Sequence, residues 1–141
     1  MNITLNRLTF ITLVALTLSA CAPNFQKWTP QQVIDSFKSA GLEAENTSVL
    51  APGDYGLAPL VAQEGVRFLI PALGPDSGGR VFSFETQENL DQMQAYYVKL
   101  GEESAILFSW VFVRDNILVQ INGQLPQETA RKYESALNGL K

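Results

Sequence analysis

The chain has no histidine among its 141 residues and a single cysteine, Cys21. Without histidine there is no Ser-His-Asp or Cys-His arrangement, and the side chain most often used for general acid–base work is missing. One thiol forms no internal disulfide and builds no thiolate zinc site by itself. Lysine and arginine total 10 against 14 acidic residues, for a net charge of −4. Those cations are scattered, so the clustered positive surface that displaces counterions from nucleic acid is lacking, and no nucleic-acid partner is expected. No apolar run approaches the roughly 20 residues needed to cross a bilayer. The segment Leu8–Leu16 is too short and is interrupted by Thr9 and Thr12. An enzyme of this composition would have to use carboxylates, lysine, tyrosine, serine or a metal held by oxygens.

What the first 21 residues do contain is ordered. Met1–Arg7 carries one side-chain charge, Leu8–Leu16 is apolar, and Leu18-Ser19-Ala20-Cys21 follows. That is the positive, apolar, then small-residue layout of a secretory signal peptide. The tetrapeptide resembles the lipobox of bacterial lipoproteins. The resemblance implies a diacylglycerylated thiol, cleavage before Cys21, and acylation of the new terminal amine. Cys21 would then be the first residue of the mature protein and its membrane attachment, on the extracytoplasmic face. Ala22 rather than Asp after the cysteine permits, by the same resemblance, export to the outer membrane of a two-membraned cell. Each acyl chain contributes about 0.8 kcal/mol per buried methylene, and two such chains suffice for stable anchoring.

Removing residues 1–20 leaves 121, enough for one domain with a real core, and the loss of Arg7 leaves nine basic against fourteen acidic side chains, a net charge of −5. Residues 21–28 read as a lipidated tether and 29–141 as a single domain. Thr29-Pro30-Gln31-Gln32 starts a helix by cap, proline and capping box, with Trp28 available as a staple on Val33. Val33, Ile34 and Phe37 form its buried stripe, and Gly41 stops it. Glu43–Glu64, with Pro52, Gly53, Gly56 and Pro59, reads as an extended loop containing at most a short strand at Thr47–Leu50. Strand patterns follow around Val66–Ile70 and Val81–Phe84. A second helix carries Leu90, Met93, Tyr97 and Leu100 and is expected to end at Gly101. Ala105–Val113 and Ile117–Asn122 form a second hairpin. A third helix from Pro126 buries Ala130, Tyr133, Leu137 and Leu140.

The pattern predicts an α+β two-layer sandwich in the order α-ββ-α-ββ-α. An antiparallel sheet of about four strands has its helices on one face, burying Phe68, Phe82, Phe84, Phe108, Trp110 and Phe112. A two-residue turn at Asp115-Asn116 pairs Phe112 with Val119, Trp110 with Ile121, Val111 with Gln120 and Ser109 with Asn122. The phrases Tyr96-Tyr97 and Asp115-Asn116-Ile117-Leu118 resemble small bacterial lipoproteins and imply no activity.

Asp76-Ser77-Gly78-Gly79 is similar to the nucleophile signature of chymotrypsin-like proteases, but Pro75 replaces its leading glycine and the required base is absent. It reads as a glycine-rich turn. The second sheet face is the candidate binding surface. Alternation assigns Arg67, Ser83, Ser109, Gln120 and Asn122 to it, interleaved with Leu69, Val81, Leu107, Val111 and Val113. Either the Glu43–Glu64 loop covers this face or it receives a protein or small ligand. The leading expectation is a non-catalytic binding or envelope-assembly module, with an envelope protein as partner and no cofactor or metal. The alternative is an envelope enzyme using the loop acids Asp54, Glu64, Asp76 and Asp115. It requires two of them in one cleft, about 5 to 9.5 Å apart for glycan hydrolysis.

Overall fold

The computed structural model describes residues 25–141, and the lipobox with Cys21 lies outside the described residues. Helix α1 (Pro30–Ser39) begins as its sequence dictates. The Thr29 hydroxyl accepts the Gln32 amide, and the Gln32 side chain accepts the Thr29 amide at 2.9 Å. It ends on Gly41, whose φ of 74° suits a residue without Cβ. The Gly41 N–H donates to the Lys38 carbonyl at 3.0 Å and Leu42 N–H to that of Phe37 at 2.9 Å.

Five strands, β1 (Glu45–Val49), β2 (Glu64–Leu69), β3 (Gly78–Ser83), β4 (Ser109–Arg114) and β5 (Ile117–Asn122), form one antiparallel sheet in the order β1-β2-β3-β5-β4. Helix α2 (Gln87–Glu103) joins β3 to β4, and α3 (Gln127–Asn138) closes the chain. The class is α+β, as expected, with five strands rather than four. The fifth is β1, from the segment read mainly as loop. The β4–β5 register matches the expected pairs, and Asp115 takes a φ of 49° in the turn.

The helices lie on both faces, which corrects the two-layer arrangement. Val66, Phe68, Val81, Phe112, Val119 and Ile121 pack against α1 and α3, where the Phe37 and Tyr133 rings meet edge-on at 5.0 Å. Phe82, Phe84 and Leu118 instead pack against Leu90, Met93 and Tyr97 of α2. The difference arises in β3. Val66 pairs with Val81 and Val81 with Val119, so Val81 faces α1 and α3 while Phe82 faces α2. Val81-Phe82 is apolar on both faces, so alternation cannot orient it. Gly79 fixes the register instead: a Cβ there would stand 2.6 Å from the Phe68 ring and 2.5 Å from the Gln120 carbonyl. The Gly78-Gly79 pair thus belongs to a strand and not to the expected turn.

Two further boundaries move. Helix α2 continues through Gly101 to Glu103, since Gly101 does not take the positive φ of a helix stop; Phe108 packs over it, and a Cβ there would meet the ring at 3.3 Å. Ala105–Leu107 forms a short 3-10 turn, so the expected long strand begins only at Ser109.

Candidate functional site

The α2-side face is covered in two unequal ways. At the Phe82 end the β1–β2 segment folds over it. Tyr55 lies 5.7 Å from the Phe82 ring, and Ala58 is buried with Leu50, Val61 and Ala62 around it. Gly65 makes this possible, since a Cβ there would stand 2.8 Å from the Tyr55 hydroxyl. At the other end the face stays open as a cavity of about 520 Å³. The Glu43–Glu64 segment therefore covers half the face and walls the remainder.

One register row crosses the cavity floor. Ser48 of β1 pairs with Arg67 of β2, Arg67 with Arg80 of β3, and Arg80 with Gln120 of β5. Ser109 and Asn122 lie in the next row and are themselves paired. The Gln120 amide donates to the Ser109 hydroxyl at 2.9 Å. Tyr55, Tyr96, Tyr97 and Phe108 provide aromatic walls. Arg67, Ser109, Gln120 and Asn122 therefore converge as expected. Ser83 does not: it pairs with Glu64 and Ile117, lies buried on the α1–α3 side, and leaves the candidate face. The one-residue shift in β3 that removes Ser83 brings in Arg80, which alternation had turned the other way.

Arg67 donates to the Asp76 backbone carbonyl at 2.8 Å. Among the described residues neither Arg67 nor Arg80 has a carboxylate within 4.0 Å, whereas five other ion pairs form. Arg80 Nε is buried with no hydrogen-bond partner. Burial raises the Tyr97 hydroxyl above the usual tyrosine pKa, and the adjacent Arg80 guanidinium opposes that shift. Burial also raises Tyr55, with the Glu64 charge adding to it.

The loop acids separate. Asp54 and Asp76 stand at the exposed rim, and Asp54 accepts the Ala51 N–H at 2.8 Å. Glu64 is exposed at the start of β2. Asp115 lies at the opposite end of the sheet, in the β4–β5 turn. Its pKa is lowered by the Trp28 indole N–H bonded to it at 2.8 Å, then by the nearby Lys27 and Arg114 charges. The same turn pins the N-terminal segment: Asn116 Oδ1 accepts the Lys27 and Trp28 amides at 3.0 and 2.8 Å. Among the described residues no group of three or more Cys, Asp or Glu is placed to hold a metal ion, and no helix is long and apolar enough to cross a membrane.

No protein-family model, curated protein or solved structure matches the chain.

Proposed function

We propose that this chain is a membrane-anchored, extracytoplasmic lipoprotein that acts as a non-catalytic binding module through the open half of its α2-side sheet face. The observation that carries the reading is the polar row Ser48–Arg67–Arg80–Gln120, set as the floor of a walled cavity rather than spread on a convex surface. Concave sites of about 300–1,000 Å³ with a few convergent polar groups are the usual form of small-ligand sites.

The tether gives the module an orientation. Phe25 packs against the α2-side cluster, and Lys27 and Trp28 are bonded to the β4–β5 turn. Phe25 follows Cys21 by four positions in the sequence, a reach of at most about 14 Å. A lipid on Cys21 therefore holds the turn end of the sheet beside the bilayer. The cavity floor occupies the middle of the strands and their far ends, around Gly78, Ser109 and Asn122. The module presents its cleft outward. An envelope protein that delivers or receives the ligand is the expected partner.

The enzymatic alternative draws on Asp54 and Asp76, which border the same cavity. Asp54 already holds the Ala51 amide, and the two acids are exposed at the rim on separate loops. Binding is the better supported reading.

Two measurements test the proposal. Metabolic labelling with palmitate should mark the wild-type chain, while Cys21→Ser should remain unlabelled and unprocessed; label retained by the variant overturns the anchor. Native mass spectrometry of the full chain, gently extracted from the envelope, should show a co-purifying small molecule. Ser109→Trp, which fills the cavity, should lose it. A wild-type chain that carries no added mass, or an adduct retained by the filled variant, counts against binding in the cleft.

A further inference from the structure

We infer that Arg67 and Arg80 form the recognition element of the cleft, and that its ligand is a water-soluble small molecule bearing carboxylate or phosphate oxyanions. The inference deepens the binding-module reading and rests on it. Its starting point is a cost. Arg67 and Arg80 stand directly opposite each other on neighbouring strands. Like charges in that relation destabilise a sheet. Among the described residues no carboxylate within 4.0 Å neutralises either one, although the same chain pairs Lys27, Lys99, Arg114, Arg131 and Lys132.

A second cost lies in Arg80 itself. Its Nε is buried without a partner, and a donor that has given up water for no protein partner is a cost to the fold. Folds keep such conflicts mainly at functional sites, and an anion in this cavity would offset the charge of both guanidinium groups. Two guanidinium groups lining one cavity suit a multiply charged oxyanion, which can accept charge-assisted hydrogen bonds from each. Gln120 beside Arg80, with its amide on Ser109, adds polar groups to the same floor.

The surroundings narrow the ligand further. The cavity, about 520 Å³, is far larger than one phosphate ion, so the ligand has a body that lies against Tyr55, Tyr96 and Tyr97. Asp54 and Asp76 at the rim make the cleft dipolar, with cations on the floor and anions at the mouth. The charged end of the ligand therefore enters first. A lipid headgroup carries similar oxyanions, but the floor lies in the half of the sheet away from the turn that holds Lys27 and Trp28, on the side facing water.

Isothermal titration calorimetry of the full chain in a zwitterionic detergent tests this, using citrate and inorganic pyrophosphate at constant ionic strength. At least one of the two should give saturable binding. Affinity should fall by about tenfold or more in Arg80→Gln and in Arg67→Gln, as loss of charge-assisted hydrogen bonds requires. Lys99→Gln, at an exposed ion pair on α2, should bind as wild type does. Without anion, each arginine variant should melt at or above the wild-type temperature, because one of two facing charges is gone. No saturable binding of either anion overturns the inference, as does unchanged affinity in both arginine variants. Phosphatidylglycerol vesicles should not displace the bound anion; displacement would move the ligand to lipid headgroups and refute the soluble assignment. If native mass spectrometry finds a molecule lost by Ser109→Trp but kept by Arg80→Gln, the binding module stands and the anion inference falls.

Discussion

Asn116 provides the sharpest test of how the N-terminal segment is held. Its side chain is almost wholly buried and makes three hydrogen bonds to main chain some 88 residues earlier. Oδ1 accepts the Lys27 and Trp28 amides at 3.0 and 2.8 Å, and Nδ2 donates to the Trp28 carbonyl at 2.8 Å. An intramolecular hydrogen bond contributes about 1 kcal/mol net, and a buried group left unpaired costs more. Lys27 is exposed, so its amide regains water and its loss is small. Asn116→Ala should therefore destabilise the domain by about 2–3 kcal/mol, lowering Tm by about 10 °C for a domain of this size. Asn116→Asp keeps both acceptors but sets a carboxylate oxygen against the Trp28 carbonyl, so it should also destabilise. Urea denaturation gives the magnitude, and hydrogen exchange at the Trp28 amide locates it. If exchange at Trp28 is unchanged in Asn116→Ala, and stability falls by less than about 0.5 kcal/mol, the segment is held by something other than this side chain.

Gly79→Ala should cost about 2 kcal/mol or more, since its methyl would press on the Phe68 ring and the Gln120 carbonyl; a wild-type melting curve would show that the β3 register is not fixed there. Tyr133 donates to the Glu43 carbonyl at 2.7 Å, and burial, with the Glu43 charge adding to it, pushes its pKa up to about 12. Its folded pKa lies above the unfolded one, so its contribution is fully present below about pH 10. That contribution is lost as pH rises towards about 12. Denaturation midpoints measured across that range should fall, and Tyr133→Phe should flatten the decline.

How much of this was legible in the sequence depended on whether a residue's neighbours differed in kind. The α1 cap and its Gly41 stop are local, and Thr29, Pro30, Gln32 and Gly41 each act within a few residues. The β4–β5 register was legible because Trp110 and Phe112 alternate with Ser109 and are joined by a two-residue turn. Trp110 itself is only half-buried, with its indole N–H on the Leu125 carbonyl. In β3, by contrast, Val81-Phe82 offers no alternation, and the long-range fit of Gly79 beneath Phe68 decides the face. That one-residue shift exchanged Ser83 for Arg80 in the candidate site and placed α2 on the far side of the sheet. Strand β1 was faint because all five of its residues are exposed at the sheet edge, so no buried stripe marks it.

The placement of α2 is what gives the face a cleft. Had all three helices packed on one side, the opposite face would be a broad surface on which Arg67 and Arg80 are simply solvated. With α2 on that side, Leu90, Met93 and Tyr97 seal the Phe82–Leu118 end, while Tyr96, Tyr97 and Leu100 stand as a wall over the Arg67–Arg80–Gln120 row. Phe108 fixes the other wall, lying so close that a Cβ at Gly123 would stand 2.3 Å from its carbonyl. Water-excluding walls beside two cations lower the local dielectric, which strengthens their attraction for an anion and their mutual repulsion without one. Stability alone would favour an acidic residue at either position. The chain has fourteen acidic residues, and the two that reach this cavity stand at its mouth.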